Sequence, residues 1–277
     1  MRQKLQSLAQ THRPNTSSRH HDSCTPASGD CGSDPEAEHS CNGQSKQASE
    51  VNDPNIIENI TLSGLHFHGT DWIPHSGVNL EVDHNLPPNS KPLGASVQGA
   101  FDACSTIYLE HATQATIKEC KFSHLGSHAI TIGEGCRKIT IRHNRFEELG
   151  GSALIAHGSE LDGSPANQTK QIQFTDNVCI GLGRTFPSSC GVLGGAVREM
   201  TIAHNVIRDL FYSGISLGWS WGYADTISQN HLVEFNLIED VSQGLLNDLG
   251  GIYLVGQNTG SIIRRNIVRR VKTANFG

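Results

Sequence analysis

An isolated carboxylate is the strongest chemical signal in this sequence. Asp248 stands in LLNDLGGIY, between leucines and ahead of Gly250 and Gly251. Apolar surroundings penalise the charged form of a carboxylate, and no adjacent residue is basic, so Asp248 is a candidate acid or base with a raised pKa. An Asx turn made by Asn247 and Asp248 is the competing interpretation, because both residue types favour such turns.

A row of aromatic residues precedes this carboxylate. Trp219 and Trp221 are two residues apart in GWSWGY, and Tyr223 continues the spacing. On a β-strand these rings face the same way, and facing outward they make a shelf on which a sugar ring can lie. Gly218 and Gly222 favour such an open surface. Stacking of the same rings inside a core fits the spacing equally well.

Four other polar residues are placed at the ends of strand candidates or in the loops that follow them: His157, Glu160, Arg184 and Asp225. Asp225 is the carboxylate nearest in sequence to the aromatic row. His66 and His68 alternate on one strand face, where a solvent-facing pair is favoured over a metal site. No spacing of His, Cys, Asp or Glu matches a metal template, so we expect neither a metal nor a cofactor.

A seven-residue unit recurs through the chain and must position these side chains. From Cys120 onward its central residues follow one another at intervals of 24, 33, 28, 31 and 30 residues, a period typical of solenoid coils. Each unit has an apolar residue three before the central position and another two after it. The seven units are TLSGLHF (61–67), TIKECKF (116–122), TIRHNRF (140–146), QFTDNVC (173–179), TIAHNVI (201–207), LVEFNLI (232–238) and IIRRNIV (262–268).

The pattern in each unit predicts two short strands joined by a bend. Side chains alternate inward and outward on either side of the central residue, as in β-strands. Asparagine occupies the centre of five units, where it tolerates left-handed backbone angles and can join its neighbours in an amide ladder. We therefore predict an all-β fold, a parallel β-solenoid of about seven coils.

The composition divides the chain into two parts. Residues 1–54 contain no Phe, Tyr or Trp, so we expect a disordered polar leader, followed by a solenoid domain over residues 55–277. Long loops at Asp71–Asp102 and Ser159–Gln171 are expected to form a binding wall on one side. No capping element follows the seventh unit, so we expect the solenoid domain to be incomplete at its C-terminal end.

Charge and hydropathy exclude several classes of protein. The net charge is −6, the pI is about 6.2, and Lys and Arg are scattered, which argues against a nucleic-acid partner. No apolar run approaches the roughly 18 residues of a membrane span. No apolar segment follows the basic N-terminus, so no signal peptide is visible. We expect a monomer.

These motifs together resemble the right-handed parallel β-helix proteins of glycoside hydrolase family 141 over about residues 56–277. The resemblance is most specific at YSGISLGWSWGY and NDLGGIY. It implies hydrolysis of plant or algal polysaccharide, including fucosidase and xylanase activities, and a secreted protein. It also implies a catalytic role for Asp248 and places four aromatic residues in the cleft: Trp219, Trp221, Tyr223 and Tyr253.

The resemblance also implies a second carboxylate in a following coil, in a strand similar to GIYLDEGS, and the sequence stops at Gly277 before such a coil. Glycoside hydrolysis ordinarily needs two carboxyl groups. Within this sequence Asp225 and Glu160 are the alternatives for the second one. A polysaccharide lyase and a non-catalytic sugar-binding protein are the two competing hypotheses for function.

Overall fold

The computed structural model describes residues 56–71 and 97–274. The expected leader at residues 1–54 lies outside the described residues, and so does most of the first long loop. In the described residues, short parallel strands form three sheets, and the chain visits the sheets in turn.

The first sheet has ten strands: β1 (Ile57–Glu58), β2 (Thr61–Ser63), β5 (Ala112–Thr113), β6 (Thr116–Lys118), β9 (Arg137–Arg142), β12 (Thr169–Thr175), β15 (Val197–Arg198), β16 (Thr201–Ala203), β19 (Leu232–Glu234) and β22 (Ile262–Arg264). The second sheet has seven: β3 (His66–His68), β7 (Lys121–Leu125), β10 (Arg145–Leu149), β13 (Val178–Leu182), β17 (Val206–Leu210), β20 (Leu237–Glu239) and β23 (Ile267–Arg269). The third sheet has six: β4 (Ser105–Leu109), β8 (His128–Ile132), β11 (Leu154–His157), β14 (Val192–Gly195), β18 (Ile215–Gly218) and β21 (Ile252–Leu254).

The repeat sets the register of the coils. The apolar residue before each bend pairs with its counterpart in the next coil, as Ile141 does with Phe174, and the residue after the bend does the same, as Phe146 does with Cys179. From the second to the sixth coil both columns are buried in one continuous core, whereas Ile263 and Val268 of the seventh coil are exposed. The seven strands of the second sheet correspond to the seven predicted units, so the prediction of seven parallel coils is confirmed.

Five stacked asparagines join the coils at the bend between the first and second sheets, in a ladder formed by Asn144, Asn177, Asn205, Asn236 and Asn266. From Asn177 onward, each Oδ1 accepts from both the backbone N–H and the Nδ2 of the asparagine one coil earlier, at 2.9–3.2 Å, and the Asn144 Oδ1 accepts from the Cys120 N–H. The ladder is confirmed. The expected left-handed angle lies one residue earlier, for example at His204 (φ 59°), because the asparagine side chain must turn into the coil to reach its neighbours.

Replacing Asn205 by Ala is expected to lower the free energy of unfolding by about 3–5 kcal/mol. The change removes the acceptor of the Asn177 backbone N–H and of the Asn177 Nδ2, and the donor to the Phe174 carbonyl, all of them buried. Urea unfolding followed by circular dichroism measures the loss. His204→Ala, on the exposed neighbour, is the control, and an equal loss in both variants would contradict a structural role for the ladder.

Residues 97–103, which we call the strap, run across the outer face of the third sheet. Gly99 pairs with Ser189, and the buried Ala100 carbonyl accepts from Nε2 of His128 at 2.8 Å. The strap covers a second apolar cluster that includes Leu193. Gly99 has φ 76°, and a Cβ there would lie 2.8 Å from Leu193 Cδ1, so only glycine lets the strap approach this closely.

The expected second long loop is shorter than predicted. A 3-10 helix at Pro165–Asn167 interrupts it, and β12 begins at Thr169. No helix in the described part of the chain has the length and apolar character of a membrane span.

Candidate functional site

An open groove of about 550 Å³ lies beside the ends of β18 and β21. The loop after β18 lines one side of it with Trp221 and Tyr223, whose side chains are 54% and 95% exposed. Residues 253–257, from Tyr253 to Gln257, line the other side. The groove therefore presents aromatic rings to solvent, as a sugar-binding surface requires.

Trp219 lies apart from this exposed surface, and the prediction that it shares a strand face with Trp221 is wrong. Strand β18 ends at Gly218, and Trp219 has φ 68°, so the chain turns between the two tryptophans. The Trp219 ring packs against the second apolar cluster, 6.5 Å from the ring of Phe101 in the strap, and its Nε1 donates to Ser216 at 2.9 Å. Its contacts are those of a packed residue.

Asp248 lies in the turn before β21, at φ 57°, with an exposed side chain. The expected apolar burial of this carboxylate is therefore wrong, because the flanking leucines turn away from it into the second apolar cluster. The Asp248 Oδ1 accepts from the Tyr253 hydroxyl at 2.6 Å, and Oδ2 accepts from Gln98 Nε2 at 3.2 Å. Its backbone carbonyl accepts from the Tyr212 hydroxyl at 2.6 Å. Three side-chain groups, two on the carboxylate and one on the main-chain carbonyl, thus fix its position.

Tyr253 connects this carboxylate to the groove. Partial burial raises the pKa of Tyr253 well above its ordinary value, and its hydrogen bond to the negatively charged Asp248 raises the pKa further. The phenol therefore stays protonated and acts as the donor. Because Tyr253 also lines the groove, Asp248 is one hydrogen bond away from the groove wall.

Glu160 approaches the same loop from the segment after β11. Its Oε1 accepts from the hydroxyl of Ser220, the residue between the two tryptophans, at 3.0 Å, and that hydroxyl also contacts Thr226. Desolvation by nearby atoms raises the pKa of Glu160, and the charge of Asp162 adds to the increase, while the Ser220 hydrogen bond opposes it. Glu160 therefore holds a proton more strongly than an ordinary glutamate does.

Two other predicted site residues, Asp225 and His157, have different surroundings. Asp225 is exposed in the loop after β18 and contacts no charged or hydrogen-bonding group of the described residues. His157 is half-buried at the end of β11, where desolvation lowers its pKa and the charges of Glu134 and Glu110 oppose that shift. Its interactions are with these residues of earlier coils.

Arg184 is engaged on another part of the surface. Its guanidinium forms ion pairs with Glu148, at 3.1 Å, and with Asp209, and lies 5.5 Å from the centre of the Phe211 ring. The structure shows no contact between Arg184 and the groove residues.

Two residues of the Asp248 network were missed by sequence analysis. Tyr212 is the first residue of YSGISLGWSWGY, and its place in that motif was the available signal. Gln98 lies 150 residues before Asp248 and had no signal, because only folding of the strap brings the two together. Among the described residues no three His, Cys, Asp or Glu side chains are arranged to hold a metal ion.

Comparison with known proteins identifies the fold family. One solved structure, named as a glycoside hydrolase, is 24% identical, with a TM-score of 0.52, and the match covers 58% of this chain and 29% of that one. An alginate lyase from Paenibacillus sp. str. FPU-7 is 12% identical, with a TM-score of 0.35, and covers 61% and 69% of the two chains. No curated protein matches significantly.

The chain therefore spans less than a third of the first of these structures. The family described as the right-handed β-helix region matches residues 105–276, which is more than half of the chain, and the described part of that range, residues 105–274, lies in the parallel coils described above. This protein belongs to the right-handed β-helix family.

Proposed function

We propose that this protein binds a polysaccharide in the groove and hydrolyses a glycosidic bond, with Asp248 and Glu160 as its carboxyl groups. The observation that carries the proposal is the hydrogen bond from Tyr253, a residue of the groove wall, to the Asp248 carboxylate. A sugar stacked on Trp221 or Tyr223 would lie beside a fixed carboxylate.

The surroundings of the two carboxyl groups favour different roles. Asp248 accepts hydrogen bonds at both oxygens, which suits a base or a nucleophile. Glu160 has a raised pKa, which suits the acid that protonates the leaving oxygen. Glycosidases pair two such groups, and their separation in a substrate complex distinguishes retention, at about 5–5.5 Å, from inversion, at about 6.5–9.5 Å.

The fold and the motifs support the same proposal. A protein named as a glycoside hydrolase shares the β-helix fold. The motifs YSGISLGWSWGY and NDLGGIY resemble those of glycoside hydrolase family 141, whose members act on plant or algal polysaccharides. Because one fold hosts many functions, the groove and its carboxyl groups are the features of this chain that support the activity itself.

A non-catalytic sugar-binding protein is the second candidate. The observation that favours it is the exposure of Tyr223 and Trp221 in an open groove, since exposed rings bind sugars with or without catalysis. A lyase is less favoured, because it needs a basic residue to abstract a proton, and two arginines that could serve as that base, Arg184 and Arg198, are engaged in ion pairs.

A reducing-sugar assay on a panel of plant and algal polysaccharides tests the proposal, with calorimetric titration of the same panel. Hydrolysis by the wild-type protein and its loss in Asp248→Asn are expected. Binding without hydrolysis would select the sugar-binding candidate. Products with an unsaturated ring, detected by their ultraviolet absorbance, would be the outcome expected of a lyase instead.

Replacing both Trp221 and Tyr223 by Ala is expected to weaken binding of the polysaccharide at least tenfold, because each lost stacking contact costs about 1 kcal/mol. Titration calorimetry measures the change, and the melting temperature should stay close to that of the wild type because both side chains are exposed. Tyr108→Ala is the matched control, since Tyr108 is 53% exposed but lies outside the groove. Equal weakening in the control would contradict the assignment.

A further inference from the structure

Gln98 of the strap contacts the candidate catalytic carboxylate from a distant part of the chain. Its Nε2 lies 2.6 Å from the Tyr212 hydroxyl oxygen and 3.2 Å from Asp248 Oδ2. The Tyr212 hydroxyl has a single proton, which it donates to the Asp248 carbonyl. The hydroxyl oxygen must therefore accept from Gln98, whose two amide protons are then both used, one by Tyr212 and one by Asp248.

This pattern fixes the orientation of the Gln98 amide. Rotating the amide by half a turn would set its oxygen against the Asp248 carboxylate and against the Tyr212 oxygen, two contacts between acceptors. Gln98 thus donates to the side chain of Asp248 and, through Tyr212, supports its main chain. Tyr253 completes the arrangement from the opposite side of the carboxylate.

The strap that carries Gln98 is anchored at several points. The Val97 carbonyl accepts from the Ser188 hydroxyl at 3.2 Å, Gly99 pairs with Ser189, and Ala100 is fully buried. Gln98 itself is half-buried between these anchors. Because the strap already holds Gln98 in place, little conformational entropy is lost when substrate binds and the reaction takes place. Groups that orient a catalytic residue usually have this property.

From these contacts we infer that Gln98 is a positioning residue, which holds the Asp248 carboxylate in the orientation needed at the groove wall. The inference rests on the proposed function, because it assigns Gln98 a role at that same site. Gln98 donates to Asp248 alone among the carboxylates of the described residues.

Steady-state kinetics test this role, with the polysaccharide that the wild-type protein hydrolyses as the substrate. In Gln98→Ala, kcat should fall about 10- to 100-fold, with KM within about twofold, because misorientation affects chemistry more than sugar stacking. The acid limb of the pH–rate profile should move to higher pH, since the carboxylate loses a donor, and it should move further in Gln98→Glu, which adds a like charge. A merely structural role would leave the pH profile unchanged.

Gln243→Ala is the matched control, because Gln243 Nε2 donates to Asp209 at 2.6 Å on another part of the surface. A kcat for Gln98→Ala no lower than that of this control, or a pH profile that superimposes on the wild type, would overturn the inference. Turnover retained in Asp248→Asn would instead remove Asp248 from the mechanism, and a wild-type protein that hydrolyses no polysaccharide would show that the proposed function has failed.

A crystal structure of Gln98→Ala decides the inference without any substrate. The Asp248 carboxylate is expected to leave hydrogen-bond distance of the Tyr253 hydroxyl or to occupy more than one rotamer. An Asp248 side chain that keeps its single orientation and its 2.6 Å contact with Tyr253 would overturn the inference.

Discussion

Replacing Asp248 by Asn is expected to reduce glycoside hydrolysis by a factor of about 1,000 or more, because an amide can neither attack nor take up a proton. The fold should survive. Asparagine has the same shape, tolerates the φ of 57° at this position, and keeps an oxygen to accept from Tyr253. The side chain is exposed, so the substitution buries no unpaired group.

The measurement combines a reducing-sugar assay with calorimetric titration of the polysaccharide on the same preparation. Binding should remain within a few-fold of the wild type, since Trp221 and Tyr223 are unchanged. Asp225→Asn, in an exposed carboxylate without contacts, is the control and should retain activity. Full turnover in Asp248→Asn would remove Asp248 from the mechanism, and full turnover in Glu160→Gln would assign the acid role to another group.

The coils could be predicted from sequence because each one repeats the same short pattern of apolar residues around a bend. An inward apolar residue recurs at a fixed distance from each bend, and stacking identical units puts Ile141 beside Phe174 and Phe146 beside Cys179. The thiols at Cys120, Cys136, Cys179 and Cys190 are buried, as expected for small apolar side chains, whereas Cys104 is exposed.

The candidate site was less predictable, because contacts between distant segments determine it. Spacing alone put Trp219 and Trp221 on one face, but the strap covers Trp219, and the chain turns at Trp219, which separates the two rings. Likewise, the leucines near Asp248 suggested a buried carboxylate, whereas their side chains pack into the second apolar cluster and leave the carboxylate exposed. Periodicity predicts which residues stack, and it carries no information about which loop folds over them.

Two buried histidines are expected to make the fold sensitive to acid. In His128, Nδ1 accepts from the Ser152 N–H and Nε2 donates to the Ala100 carbonyl, and burial lowers its pKa to about 4. In His231, Nδ1 accepts from the Met200 N–H, and burial again lowers the pKa to about 4. In each case protonation of Nδ1 would place an N–H of the ring against a backbone N–H, so two donors would face each other.

The direction of the effect follows from proton binding. Between about pH 6.5 and pH 4 the two histidines bind protons in the unfolded chain, where their pKa values are near 6.5, but not in the folded chain. Their contribution to the free energy of unfolding is therefore fully present above about pH 6.5 and is lost as the pH falls toward 4. Each histidine should contribute a loss of about 2 kcal/mol by pH 5 and about 3 kcal/mol by pH 4. Urea unfolding at pH 7 and pH 5 measures the difference.

Variants separate these two histidines from the other titrating groups. The free energy of unfolding should differ less between pH 7 and pH 5 in His128→Gln and in His231→Gln than in the wild type. Each variant should reduce that difference by about 2 kcal/mol, whatever its stability at pH 7. His143→Gln, in an exposed residue, should leave the difference unchanged. Because His128 bonds to the strap and Gln98 belongs to it, acid should also loosen the support of Asp248 before the coils unfold. A pH difference that persists in both variants would place the acid sensitivity elsewhere, on the carboxylates paired with arginine.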